Sequence, residues 1–322
     1  MVAGETTINN NVLEYEEDSN NLCIKNSKRR GWNYEEMKKK HIEQQNYVLA
    51  MRQYLENRGI KVEVLTRSEY TVEVIAHADA VFSAGGDGTF LVAAQKIRDY
   101  RAVIGFNTDP MGSEGYLCIT RKGTQPVGEV IDKLLKGECR LFLQSDCDAE
   151  YPLLALNDVF IGESHASRVS YYDVQIDDGP MVRQKSSGMI ACTGTGSTSW
   201  NYNINRVSEQ HIGELSSIMA DMNLLAINPT DAITEEICKR FNEKLLFDPQ
   251  CTTIAFTIRD PVFNATFPVG IKRGFAKRIR VRSRCTNAHI VLDGNVSIPF
   301  NSGTEVLLEI HESDALRSAV FS

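Results

Sequence analysis

"SAGGDGTFLVAA", residues 83–94, decides how the first half of the chain is read. The run leading into it, "ADAVFSA" (78–84), is short and apolar. Thr89 to Ile97 then carries apolar residues at helical spacing, so the segment reads as strand, tight turn, helix. Glycines at 85, 86 and 88 suit a turn that a ligand approaches, because they permit positive φ and present no Cβ to keep a ligand from the amides. The N-terminus of the following helix offers unpaired N–H groups and the positive end of its dipole, a setting for phosphate. Asp87 does not belong in such a cradle on charge grounds, since a carboxylate repels phosphate. Aspartate at this place is also an ordinary helix cap, and at this point both readings stand.

Outward from the turn, "KVEVLTR" (61–67) and "RAVIGFN" (101–107) are β-rich runs. "MKKKHIEQQNYVLAMRQYLENRG" (37–59) has helical spacing and stops at Gly59. Strands alternating with helices predict an α/β unit, Rossmann-like, with a mostly parallel sheet. From about residue 150 the pattern switches to period-two alternation. It runs through "LLALNDVFIG" (153–162), "RVSYYDVQIDDGP" (168–180), "GMIACTG" (188–194), "TTIAFTIRD" (252–260), "KRIRVRSRC" (277–285) and "AHIVLDGNVSIPF" (288–300). This predicts a β-rich, sandwich-like second domain with one helical insertion near 208–246. The expected division is 1–148 and 149–322, with "QSDCDAEYP" (144–152) as linker and a C-terminal tail able to return to the first domain. There is no internal repeat and no low-complexity tract.

The 322 residues are 42% apolar and 24% charged, which is ordinary for a globular chain with a large core. The net charge of −7 and the absence of a long basic stripe exclude the electrostatic footprint of a nucleic-acid binder. "KNSKRR" (25–30) and "KRIRVRSR" (277–284) read as solvated faces or an alternating strand. Eight cysteines form no CxxC pair, and no histidine spacing suggests a metal site, so the thiols are expected to be reduced, as in an intracellular compartment. No stretch approaches the roughly 20 apolar residues that span a bilayer. The opening "MVAGETTINN" is neither Arg-rich nor amphipathic enough for an organellar presequence, and its first apolar residues look like the tail of a strand.

A second glycine- and hydroxyl-rich stretch, "SSGMIACTGTGSTSW" (186–200), lies far downstream. Taken alone it is as readily a set of turns. Together with residues 85–89 it supplies two nests of amides and small hydroxyls on separate domains, which is what a long, multiply phosphorylated ligand requires.

In this order, "GGDGT" (85–89), "GFNTDPMGSEGYL" (105–117), "LNDVFIGES" (156–164) and "SSGMIACTGTGSTSWNYNINR" (186–206) resemble the NAD kinase family, most closely its animal mitochondrial branch. "SYYDVQIDDGP" (170–180), "VRSRC" (281–285) and "VLDG" (291–294) extend the resemblance over nearly the whole chain. A GGDGT turn alone is shared with phosphofructokinases and with diacylglycerol and sphingosine kinases; the Asn-acidic pair followed by TGTGST separates NAD kinases from them.

The resemblance implies an active cleft between the two domains, where ATP with Mg²⁺ or another divalent cation phosphorylates the adenosine 2′-hydroxyl of NAD to give NADP. It implies that Asp87 acts as general base or positions that hydroxyl. Gly85, Gly86, Gly88, Thr89, Asn107, Asn157, Asp158, Thr193, Gly194, Thr195, Gly196, Ser197, Thr198 and Trp200 would bind NAD or ATP. Asp158 stands where the family carries Glu, Gly194 where it carries Pro, and Ser187 where bacterial members have Asp. Trp200 suits either stacking on adenine or core burial. Arg168, Arg183, Lys185 and Arg206 are uncommitted candidates for phosphate. The resemblance further implies a homodimer through the C-terminal domain and mitochondrial residence, with the cytoplasm as the alternative. A lipid kinase of the diacylglycerol or sphingosine type and a catalytically weak NAD(P)-binding sensor remain as other readings; no membrane-binding face supports the first.

Overall fold

The computed structural model describes residues 2–3, 34–97, 99, 101–110, 116–120, 126–136, 140–141, 154–165, 167–224, 230–264, 267, 270–311 and 316–320. The expected linker 144–152, the basic run 25–30 and the whole "MGSEG" stretch (111–115) lie outside them. The chain divides into two compact units, residues 1–148 with 313–322, and residues 149–312.

The first unit begins with β1 (Val2–Ala3), helix α1 (Tyr34–Glu56) and a short helix α2 (Val72–Ile75). β2 (Ala80–Ala84), α3 (Asp87–Ala94) and β3 (Ala102–Phe106) follow, and then β4 (Cys118–Thr120), α4 (Val127–Leu135) and β5 (Arg140–Leu141). β1, β2 and β3 run parallel, as the alternation of strands and helices predicts. β3 uses its second edge twice: Gly105 and Phe106 pair with β4, while Ala102 and Val103 pair with β16 (Arg317–Val320), the last described strand. β16 in turn pairs antiparallel with β5. Val48, Met51 and Leu55 of α1 and Val130 and Ile131 of α4 bury one sheet face together with Ala84, Ile104 and Phe106.

"KVEVLTR" is not the strand its alternation predicts; only Leu65 makes a ladder bridge. Val62 and Val64 nevertheless pack on the core, so the alternation is satisfied by burial without a paired neighbour.

The second unit contains β6 (Asp158–Glu163), β7 (Ser170–Ile176), β8 (Val182–Ser186) and β9 (Met189–Cys192). A 3₁₀ turn (Thr195–Thr198) leads into α5 (Trp200–Asn205), then α6 (Glu209–Asp221) and α7 (Asp231–Glu243). The unit continues with β10 (Ile254–Ile258), β11 (Arg273–Ala276), β12 (Arg278–Ser283), β13 (Ala288–Leu292), β14 (Val296–Pro299) and β15 (Glu305–Glu309). One antiparallel sheet has the order β11-β10-β9-β6-β13-β14 and the other β15-β12-β7-β8. Ile161, Met189, Phe256 and Leu292 of the first face Tyr172, Val174, Ile279 and Val281 of the second, which makes a sandwich. "KRIRVRSR" is an alternating strand: Ile279, Val281 and Ser283 are buried and Arg278, Arg280 and Arg282 exposed, the last two paired with Glu305. No described helix is long and apolar enough to cross a membrane.

Candidate active site

In the first unit the GGDGT turn closes the C-terminal end of β2. The Gly85 N–H donates to the Phe106 carbonyl (2.9 Å), tying the turn to the end of β3. The expectation of positive φ fails here: Gly86 has φ −84, and neither Gly85 nor Gly88 is among the described residues with positive φ. The glycines serve space instead. A Cβ on Gly85 would lie 2.3 Å from the Thr89 Oγ1, whereas a Cβ on Gly88, which is exposed, would meet nothing within 4 Å. Gly85 is therefore explained by packing. Gly88 is not, and in a helix it costs about 1 kcal/mol against alanine.

Asp87 is the first residue of α3, but its carboxylate does not cap the helix; the N-cap is Gly86, with no side-chain cap bond. The helix-cap reading is thereby corrected. The carboxylate reaches across to the segment entering β4, where Tyr116 N–H donates to Oδ2 (2.9 Å) and Leu117 N–H to Oδ1 (3.0 Å). Oδ1 also faces the Cys118 thiol, at 3.9 Å, while Oδ2 keeps a lone pair for a further donor. The amides of Gly86, Asp87 and Gly88 have no acceptor among the described residues, so the helix N-terminus presents open N–H groups beside this carboxylate. Asn107 follows β3 as expected. Its N–H donates to Thr120 Oγ1 (2.7 Å), and its own Oδ1 accepts from Asp109 N–H (3.0 Å), folding the side chain over the turn. Lys40 of α1 holds Asp109 at 3.0 Å. Glu114 lies outside the described residues.

In the second unit the structure gathers Asn157, Asp158 and residues 193–200. Thr193 Oγ1 donates to the Leu156 carbonyl (2.5 Å), and Thr193 N–H donates to the Asn157 carbonyl (3.0 Å). A Cβ on Gly196 would sit 2.0 Å from the Asn157 carbonyl oxygen, and one on Gly194 2.0 Å from that of Asp248. Both glycines let backbone meet backbone, with Asp248 and Pro249 pressing against Gly194. Ser197 is buried and bonded to Phe247. The Thr195 and Thr198 hydroxyls have no partner among the described residues and stand half-buried.

The Asn157 Oδ1 is buried and has no hydrogen-bond partner among the described residues. Buried acceptors in folded proteins are normally satisfied, so this atom awaits a donor. Asp158 beside it accepts from Ser199 Oγ at 3.4 Å. Burial first, and then the nearby Asp293 carboxylate, push its carboxyl up to about 6, with the Ser199 hydrogen bond opposing. Cys192, its register partner on β9, is pushed up to about 12 by burial and then by Asp158, which leaves an inert thiol.

Trp200 is 40% exposed, so the core-burial alternative fails. One side of its ring lies 5.0 Å from Phe160, and the Arg259 guanidinium stands 5.6 Å from the ring centre. Phe160 is held between Gly162 and Gly188, where a Cβ would come within 2.8 and 2.6 Å of its ring; Gly188 also has φ +116. Arg183 is engaged by Asp173, and Lys185 lies over Tyr171.

Sequence reasoning missed Asp293. It sits at φ 48 in the turn between β13 and β14, and its carboxylate accepts from the N–H groups of Leu156, Asn157 and Asp158. The Asp-Gly pair within "VLDG", between two alternating runs, marked a turn but gave no sign of where the carboxylate goes.

The mitochondrial NAD kinase 2 of Homo sapiens is 38% identical over 311 residues, covering 83% of this chain and 70% of that protein. The chain belongs to the NAD kinase family. The lipid-kinase alternative, which rested on the GGDGT turn alone, is not favoured. Among solved structures, an NAD kinase from Archaeoglobus fulgidus in complex with ATP matches with a TM-score of 0.58 at 21% identity, over 86% of this chain and 89% of that one. A yeast NADH kinase complexed with NADH gives 0.57 at 14% identity, over 87% and 80%. At these identities the likeness is one of fold, and it agrees with the parallel sheet and the antiparallel sandwich. No model of a protein family matches the chain.

Two outcomes follow for the members of this site. Gly88→Ala meets no neighbour and removes a helix-weakening residue, so the melting temperature should hold or rise, by up to about 1 kcal/mol of stability. The affinity for ATP or NAD should fall; unchanged Michaelis constants would make the open space at Gly88 incidental. For Asp158, a carboxyl raised in the folded state favours the native chain while protonated, and that stability is lost as pH rises from about 4 through 6. Asp158→Asn should therefore melt with the native chain near pH 4 and above it beyond pH 6, in melting curves recorded across that range.

Proposed function

We propose that this chain transfers the γ-phosphoryl group of ATP to the adenosine 2′-hydroxyl of NAD, forming NADP, with Asp87 as the group that accepts the hydroxyl's proton or hydrogen bond. The observation that carries the reading is the buried, unpartnered Oδ1 of Asn157. A ribose hydroxyl is a donor of the right size to satisfy it, and Asp158 next to it can accept a second. The unpartnered hydroxyls of Thr195 and Thr198 extend the same polar surface.

On the first unit the open amides of 86–88 suit phosphate oxygens, while Asp87 is fixed by Tyr116 and Leu117 in one orientation. A carboxylate held in this way is pre-aligned, and phosphoryl transfer asks little of a protein beyond alignment and charge neutralisation. No three His, Cys, Asp or Glu side chains among the described residues are grouped to hold a metal. In this reading the divalent ion, Mg²⁺, arrives as part of the ATP complex and offsets the charge of its phosphates.

The working form in this proposal is a homodimer made through residues 149–312, located in the mitochondrion. Ile271, Phe275 and Leu307 support the dimer, because they are large apolar side chains left exposed on that unit. The mitochondrial name of the human relative supports the location.

Pure protein given ATP, Mg²⁺ and NAD should make NADP. Asp87→Asn should lower kcat by about 10²–10⁴-fold with little change in the KM for NAD. The substitution also turns an NH₂ group toward one of two backbone N–H groups, so a stability loss of about 1–3 kcal/mol should accompany it. Near-normal turnover would remove Asp87 from the chemistry. Light scattering at micromolar concentration should give twice the mass of one chain, and a single-chain mass would overturn the dimer.

A further inference from the structure

Asp293 does more than turn the chain between β13 and β14. Asp293 and Gly294 both have left-handed φ, at 48 and 69, and the Asn295 N–H closes the turn on the Leu292 carbonyl (3.0 Å). Such a turn takes Asn-Gly as readily as Asp-Gly, so backbone conformation alone does not select the acid. Its oxygens do. Oδ2 accepts from Leu156 N–H (2.9 Å), and Oδ1 from Asn157 N–H (2.7 Å) and Asp158 N–H (3.1 Å). Three consecutive donors require an acceptor on both oxygens, which asparagine cannot supply. The Asp293 N–H returns a bond to the Asp158 carbonyl (2.9 Å), carrying the β6–β13 contact past its last ladder pair, Leu292 with Val159.

We propose that Asp293 is a positioning residue for the dinucleotide: it fixes the backbone of residues 156–158 and thereby aims Asn157 and Asp158 at the ribose. This rests on the reading of Asn157 and Asp158 as NAD-binding groups. The carboxylate acts through the backbone and touches no substrate itself. The amides of 156–158 are held by Asp293, and the Asn157 carbonyl is bonded by Thr193 and closely approached by Gly196, so the backbone that carries the unpartnered Oδ1 is tied on both sides.

A second effect separates positioning from mere support. The groups that face Asp158 are Asp293 from the β13–β14 turn, Ser199 from the segment after the 3₁₀ turn, and the thiol of Cys192 from β9. The Asp293 charge is one of the two causes that hold the Asp158 carboxyl up at about 6. Neutralising it moves that carboxyl downward.

The test is Asp293→Asn, which keeps the turn and two of the three hydrogen bonds. The KM for NAD should rise about tenfold or more, the effect of one lost charge-assisted bond, while the KM for ATP stays the same. In the native chain kcat/KM for NAD should climb as pH rises through about 6; in the variant the climb should begin at lower pH. Asp293→Gly keeps the left-handed turn without strain and removes all three bonds, so its KM for NAD should rise further. A variant that melts lower but keeps the native KM for NAD and the native pH profile would overturn the proposal and leave Asp293 structural. Asn157→Ala isolates the underlying reading. If it too leaves the KM for NAD unchanged, the NAD site itself is misplaced; if it raises that KM while Asp293→Asn does not, the positioning role alone falls.

Discussion

A backbone N–H taken out of water needs an acceptor, and where a strand begins or a turn intrudes there is often no carbonyl opposite it. In both units of this chain an aspartate fills that gap. Asp87 binds the amides of Tyr116 and Leu117, and Asp293 those of Leu156, Asn157 and Asp158. A carboxylate suits the task because it is acceptor-only on two oxygens and joins segments far apart in the chain with the strength of a charge-assisted bond. The entry to β4 and the entry to β6 are held this way, and the polar groups assigned to the ligand sit beside them.

The same constraint explains why small residues gather where they do. At Gly194 and Gly196 two backbones pass so closely that a methyl group would overlap a carbonyl, and at Gly162 and Gly188 the ring of Phe160 takes the space. These glycines build the surface on which Trp200 and the Thr195 and Thr198 hydroxyls are displayed. Gly88, with nothing near it, stands apart from them. Glycine clusters in one motif thus serve two ends, close packing of the protein on itself and open approach for something else, and only the geometry around each position separates them.

Much of the fold was legible because it follows periodicity. The helix after Gly86, the strand ending at Phe106, the alternating strands β7, β12 and β13 and the helical insertion all come from apolar spacing, which packing enforces. β8 ("VRQKS") and β11 ("RGFA") were not legible, because edge strands are held by ladder bonds and carry little apolar pattern. "KVEVLTR" misled in the opposite sense, with strand-like spacing and no ladder. At the site, the residue types of 85–89 and 193–198 were visible in the text. The conformation of the glycines was not, and neither were the partners of Asp87 and Asp293, which lie about 30 and about 140 positions away, where no local pattern reaches.

The return of the chain to its first sheet bears on the order of assembly. Residues 149–312 are contiguous and contain every described strand of their sandwich, so these strands can pair as soon as they have left the ribosome. The first unit cannot. Until Arg317–Val320 is synthesised, Ala102 and Val103 of β3 have a partner on one side only, and β5 has none from β16. Among the described residues, the half that is made first therefore gains its last strand after the second half is made, and until then β3 carries a stretch of unpaired edge, the kind of surface that chaperones shield and that aggregates when left bare.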